Sequence, residues 1–178
     1  MTRRTLLAVV ALAVVALTSQ DVRAVDWRSF APAEHARKTR ISVEGKELTY
    51  YLFDDETPLS FAVDGPTRVK ILTRVRIPNG TEALSYGVSI ARDGMPAGEH
   101  SFDSRPKAGA FYVEFNSMSP GVIRRIYIDV PTGRHGYELR SVGGKPVDAR
   151  LFESAESTPS RVSIAPSRFG AVETLLYK

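Results

Sequence analysis

The sequence predicts an all-β, antiparallel sandwich, on three observations. Apolar and polar residues alternate with period two in run after run. The breaks between runs carry glycine, proline, asparagine and aspartate, the residues that turns require. No ten-residue stretch shows helical periodicity, and a short helix fits only near Ala33–Lys38. Together these give roughly nine to ten strands in one domain, arranged as a sandwich or a small barrel.

The N-terminus comes first, because it reads as a signal rather than as fold. Arg3 and Arg4 precede an unbroken apolar run from Leu6 to Leu17, and a polar segment then leads to Ala24. Val22 and Ala24 occupy the small-residue positions a signal peptidase reads, so cleavage is expected after Ala24. The run is too short for a membrane span, which needs roughly 20 apolar residues. Thr2-Arg3-Arg4-Thr5-Leu6-Leu7 resembles a twin-arginine signal, while the short charged region and very apolar core point to the general export route. The expected organisation is a signal peptide over 1–24, an irregular segment over 25–39 and the sandwich over 40–178. The expected location is periplasmic or secreted.

Composition narrows the function classes. The chain holds 24 basic and 20 acidic residues. Removing the signal takes away three of the former and one of the latter, so the net charge falls from +4 to +2. That balance gives no reason to expect a nucleic-acid partner. With no cysteine, disulfides, thiolate metal sites and a cysteine nucleophile are excluded.

The strands follow in order. Arg40–Glu44 and the run of Leu48, Tyr50 and Leu52 flank Glu44-Gly45-Lys46, with Thr49, Tyr51 and Phe53 on the opposite face. Leu59, Phe61 and Val63 precede an Asp64-Gly65-Pro66 turn, after which Val69, Ile71, Val75 and Ile77 form a core side. Pro78-Asn79-Gly80 closes that strand, and its Asn-Gly-Thr sequon reads as a turn. Leu84, Tyr86, Val88 and Ile90 run into Asp93-Gly94, a strong hairpin signal. Phe111, Val113 and Phe115 are expected inward, with Tyr112 outward. Ile126, Ile128 and Val130 precede Pro131-Thr132-Gly133, and His135, Tyr137 and Leu139 follow it. Ser154 to Ser160 reads as a polar loop, and Thr174 to Lys178 as a closing strand or the vestige of a second module.

No catalytic constellation emerges. His35, His100 and His135 lack ligand spacing, and His135 reads as a hydrogen-bonded structural residue. No nucleophile elbow, zincin motif or phosphate loop is present. Asp54-Asp55-Glu56 lacks the alternating oxygen ligands of a calcium loop and reads as a solvated turn. The expectation is therefore no enzyme, no cofactor and no metal. Two surface features remain. Arg68, Lys70, Arg74 and Arg76 share one face of an extended strand, a row of roughly 27 Å at about 3.3 Å per residue. Tyr51, Tyr112 and Tyr127 are expected outward, opposite the core.

The segment Val130-Pro131-Thr132-Gly133-Arg134-His135-Gly136-Tyr137-Glu138-Leu139-Arg140 resembles the late strand of exported bacterial β-sandwich modules. Immunoglobulin-like, fibronectin type III-like and carbohydrate-binding modules carry such a proline-x-glycine turn leading into an alternating strand. The resemblance implies a non-catalytic binding module. A protein partner in the cell envelope is the first expectation. A carbohydrate or anionic glycan held by the basic row and the tyrosines is the second, and a hydrolase on a sandwich scaffold the third. Intact-mass analysis of protein exported by its own host is expected to show a chain beginning at Val25. A product that retains Met1 contradicts the signal reading.

Overall fold

The computed structural model describes residues 25–155, so the expectations for the signal and for Thr174 to Lys178 lie outside the described residues. Within this stretch there are ten strands and no helix. They are β1 (Trp27–Phe30), β2 (Arg37–Val43), β3 (Lys46–Phe53), β4 (Leu59–Pro78), β5 (Leu84–Arg92), β6 (Met95–Ser104), β7 (Ala110–Tyr112), β8 (Met118–Pro120), β9 (Arg124–Val142) and β10 (Val147–Ser154). All pairings are antiparallel, in the order β6-β5-β9-β4-β10-β3-β2-β7, with β1 on β10 and β8 on β4. The sheet does not close on itself, so the barrel alternative falls and the sandwich stands.

The two longest strands make the sandwich. β4 has 20 residues and β9 has 19, and they pair along nearly their whole length. Asp64-Gly65-Pro66 and Pro131-Thr132-Gly133, expected to be turns between strands, lie inside them. Gly65 pairs with Gly133 and Thr67 with Val130, so β9 carries one extra residue at this corner. The bulge also explains why inward residues on β9 change parity, from Ile126, Ile128 and Val130 to Tyr137 and Leu139. Beyond the corner the sheet turns back over itself. The back layer holds β6, β5 and the Leu59-side half of β4 with its β9 partner. The front layer holds the other halves of β4 and β9 with β10, β1, β3, β2 and β7.

One main core fills the space between the layers, with Val69, Ile71, Val75, Ile77, Ile126 and Leu151 meeting Leu59, Phe61, Val88, Ile90 and Leu139. A 2.8 Å hydrogen bond between Thr73 Oγ1 on the front layer and Tyr86 Oη on the back layer crosses it. Burial pushes the Tyr86 phenol up to about 12. The Phe61 and Tyr137 rings stack at 5.3 Å, and Phe30 packs edge-on against Phe61. The segment expected to be irregular thus supplies β1 and an aromatic to the core.

Turn chemistry decides the hairpins. Glu44-Gly45 and Asp93-Gly94 both adopt positive φ in two-residue loops, the geometry that matches strand twist. Asp93 also accepts hydrogen bonds from the Gly136 N–H and from His135 Nδ1, at 2.8 and 2.7 Å. His135 is structural, as expected. Asp54 Oδ1 accepts from the N–H groups of Glu56 and Thr57, so the Asp54-Asp55-Glu56 loop folds on its own carboxylate.

The corner tolerates no side chain. A Cβ on Gly65 would stand 1.8 Å from the Pro131 carbonyl oxygen, whereas one on Gly98 would meet nothing within 4 Å. Gly65→Ala is expected to lower unfolding free energy by about 2–4 kcal/mol, and Gly98→Ala by less than about 0.5 kcal/mol. Urea denaturation of the two variants checks this, and equal costs would contradict the corner's role.

A cationic and aromatic platform as the candidate functional site

The outer face of the front layer divides into a covered half and an open half. Over the β2–β3 side lie β7, β8 and the chain between them. Ile41, Tyr50 and Tyr112 form a second small core there, with Phe115 and Met118 against it. This cover corrects the expected basic row. Arg74 and Arg76 are only 2% and 5% exposed, because they lie beneath it. Arg76 donates to both carboxylate oxygens of Asp148 at 2.8 and 2.9 Å and to Thr39 Oγ1. The Tyr112 hydroxyl donates to the same carboxylate at 2.8 Å. Arg74 Nη1 donates to the Gly121 carbonyl at 2.6 Å, and Arg74 Nε to Tyr50 Oη.

Burial alone would lower the Arg76 pKa, but the hydrogen bond and charge of Asp148 outweigh it and the net shift is upward. Burial first, then Asp148, pushes the Tyr112 phenol far above its ordinary range. Tyr112 therefore points in, and its neighbour Phe111 points out at 59% exposure, the reverse of the expected alternation. Tyr51 is also displaced from the expected surface. It pairs with the buried Ala149 on the core side and packs edge-on against His35. Phe53, expected outward, is wholly buried, because β3 lies between two cores and has no free face.

The open half carries the candidate site. Three strands, β9, β4 and β10, present side chains there in registered rows. Arg125, Leu72 and Arg150 form one row, and Tyr127, Lys70 and Phe152 the next. Asp129 and Arg68 continue the grid, with Trp27 beyond them on β1. Rows two residues apart are separated by about 7 Å and neighbouring strands by about 4.8 Å.

Cations and rings interleave on this grid. Lys70 Nζ lies 4.1 Å from the Trp27 ring centre and 4.8 Å from that of Phe152. Arg68 stands over Tyr127 at 5.1 Å, and Arg150 over Phe152 at the same distance. The rings hold the cations by cation–π attraction. Arg68 pairs with Asp129 at 3.0 Å. Among the described residues Lys70, Arg125 and Arg150 have no carboxylate partner. Partial burial, then repulsion from Arg125, lowers the Lys70 pKa.

Of the seven residues singled out in the sequence, three meet here: Arg68, Lys70 and Tyr127. Trp27, Arg125, Arg150 and Phe152 were missed. The signal for two of them was present, since Val147, Ala149 and Leu151 alternate with Asp148, Arg150 and Phe152 as a strand should. Among the described residues there is no group of three metal-ligating side chains and no helix long and apolar enough to cross a membrane.

No protein-family model matches the chain, and no curated protein does. Solved structures of similar shape include the CBM36-1 domain of a multidomain xylanase from the hindgut metagenome of Trinervitermes trinervoides. It is 10% identical with a TM-score of 0.43, over 74% of this chain and 98% of that one. A CBM35 from Cellvibrio japonicus Abf62 is 13% identical with a TM-score of 0.38, over 73% and 95%. The catalytic domain of a GH87 α-1,3-glucanase is 14% identical with a TM-score of 0.44, over 84% of this chain but 31% of that one. The chain is an all-β sandwich, similar in architecture to carbohydrate-binding modules. Likenesses this low carry no ligand across, and what the sandwich binds has to be argued from its own surface.

The buried pair gives a prediction of its own. Asp148→Ala strands Arg76 without its counter-charge and is expected to cost about 3–5 kcal/mol in urea unfolding. Arg76→Met combined with Asp148→Leu is expected to recover most of that loss. A double variant as unstable as the single would contradict the pairing.

Proposed function

We propose that this protein is an exported, non-catalytic binding module for an anionic glycan, held on the open half of the front layer. The observation that carries the reading is the group of Lys70, Arg125 and Arg150, three cations without acidic partners among the described residues, set around Tyr127 and Phe152. Carboxylate or sulfate groups along a sugar chain supply the missing charge, and N–H···O contacts to ionised groups are the stronger class of hydrogen bond. Ring edges and the Leu72 side chain offer apolar surface to the less polar faces of the sugars between those groups. A nearly flat sheet suits an extended chain better than a compact ligand.

A protein partner, the first expectation from sequence, has less to support it. The exposed large apolar side chains, Val25, Met95, Phe111, Tyr127 and Val142, are spread over the segment before β1 and over β6, β7 and β9, and an interface needs its apolar residues to be contiguous.

Affinity electrophoresis in gels containing polygalacturonate or a neutral glucan tests the proposal. The protein is expected to be retarded by the acidic polymer and not by the neutral one. Lys70→Ala, Arg125→Ser and Arg150→Ser are each expected to weaken retention roughly threefold to tenfold, the ~1 kcal/mol scale of one exposed charged contact. Raising NaCl from about 0.05 M to about 0.5 M is expected to reduce it further through screening. Retention unchanged in the triple variant would remove this surface from the account.

A further inference from the structure

A cleft of about 230 Å³ opens beside the platform, between β6 and the lower half of β9. Its lining includes Arg92, Gly98 and His100 from the β5–β6 hairpin and Tyr127, Asp129 and Tyr137 from β9. Tyr127 and Asp129 belong to the platform as well, so the two surfaces are continuous.

Three features mark the cleft as built. The first is Tyr137, which is 3% exposed, lines the cleft, and holds its solvent-inaccessible hydroxyl beside the Arg92 guanidinium. Burial raises the Tyr137 pKa, against the hydrogen bond and charge of the Arg92 guanidinium beside it.

The second feature is Gly98. It pairs with Ile90, a core residue, so a side chain at this position would point to the same side as Ile90. A Cβ there would nevertheless meet nothing within 4 Å. The glycine thus leaves open space at the exposed mouth of the cleft. A register shift follows directly, since Ile90 pairs with Gly98 but Ala91 with Pro96, and the extra residue, Ala97, lies in the lining.

The third feature is the free edge of β9. Residues 124–130 pair with β4 on one side, and β5 meets β9 only from Tyr137 onward. Backbone N–H and C=O groups along this edge are free for sugar hydroxyls. The charge pattern adds direction. Asp129, at the rim, is paired with Arg68, whereas Arg92 and His100 have no carboxylate partner among the described residues.

We propose that this cleft is a second subsite that takes the terminal uronic acid of the glycan chain lying on the platform. The carboxylate faces Arg92 and His100, and ring hydroxyls meet the edge of β9. At about 30 Å³ per water, the cleft holds about eight waters, the size class of one sugar ring rather than a run of them. The protein then recognises the end of an acidic chain as well as its length. This deepens the platform reading and rests on it for the chain, but the subsite is testable alone.

The test is titration of the purified protein with sodium D-glucuronate, and separately with D-glucose, followed by backbone amide chemical shifts. Glucuronate is expected to give saturable shifts at Gly98, His100 and Tyr137, with glucose at least tenfold weaker. Gly98→Val, whose Cβ meets nothing within 4 Å and whose methyl groups enter the cleft mouth, is expected to abolish them. The triple platform variant Lys70→Ala/Arg125→Ser/Arg150→Ser is expected to bind glucuronate within twofold of the original. Shifts absent from the cleft, or unaltered in folded Gly98→Val, would overturn the subsite. Equal affinity for glucose would overturn its assignment to an acid. Polysaccharide retention that persists in Gly98→Val separates failure of the subsite from failure of the platform.

Discussion

The corner at Gly65 and Gly133 is the constraint on which the rest of the molecule depends. Two strands of this length, paired throughout, would otherwise extend as one long ribbon with an apolar side exposed. The close approach of Gly65 to the Pro131 carbonyl, with one extra residue on β9, bends the ribbon. The apolar halves then face each other. Burying them at roughly 25 cal/mol per Å² drives the closure. In a chain without cysteine no disulfide contributes to holding it. The same bend sets the platform, because it fixes which side of β4 and β9 points away from the core.

What remains accessible on that outer side is decided by the cover of β7 and β8. A row of four basic residues on one strand meets two different fates within about 27 Å. Arg74 and Arg76 are taken inside with Asp148, Tyr112, Tyr50 and the Gly121 carbonyl to satisfy them. Arg68 and Lys70 remain outside, braced by aromatic rings. A buried ion pair gives little net stability once desolvation is counted, but removing one partner is costly. The pair therefore fixes the cover in one position, and Tyr50 links the halves, since the guanidinium groups of Arg74 and Arg150 stand 5.8 and 5.7 Å from its ring.

Most of the strands could be read from period two alone, because one face of each meets a single core. The reading failed where that premise fails. β3 lies between two cores, so Phe53 and Tyr50 are both buried and alternation there says nothing about exposure. The parity change on β9 was visible in the sequence, and a turn was the natural interpretation. Only the pairing of Gly65 with Gly133 shows that the chain continues through a bulge. The platform was half legible: Arg68, Lys70 and Tyr127 stood out by charge and alternation. Trp27 and Phe152 did not, because short strands at the ends of the domain reveal their faces only through their partners. The cleft was illegible, since it rests on a missing side chain at Gly98 and on the unpaired edge of β9, which only the strand order reveals.

The most direct measurement of the central claim is an amide chemical-shift map of the protein titrated with trigalacturonate. The account predicts saturable changes centred on residues 68–72, 125–129 and 150–152, continuing toward the β9 edge. Saturable changes confined to the outer faces of β5 and β6 or to the β7–β8 cover, or no saturable change at low salt, would contradict it.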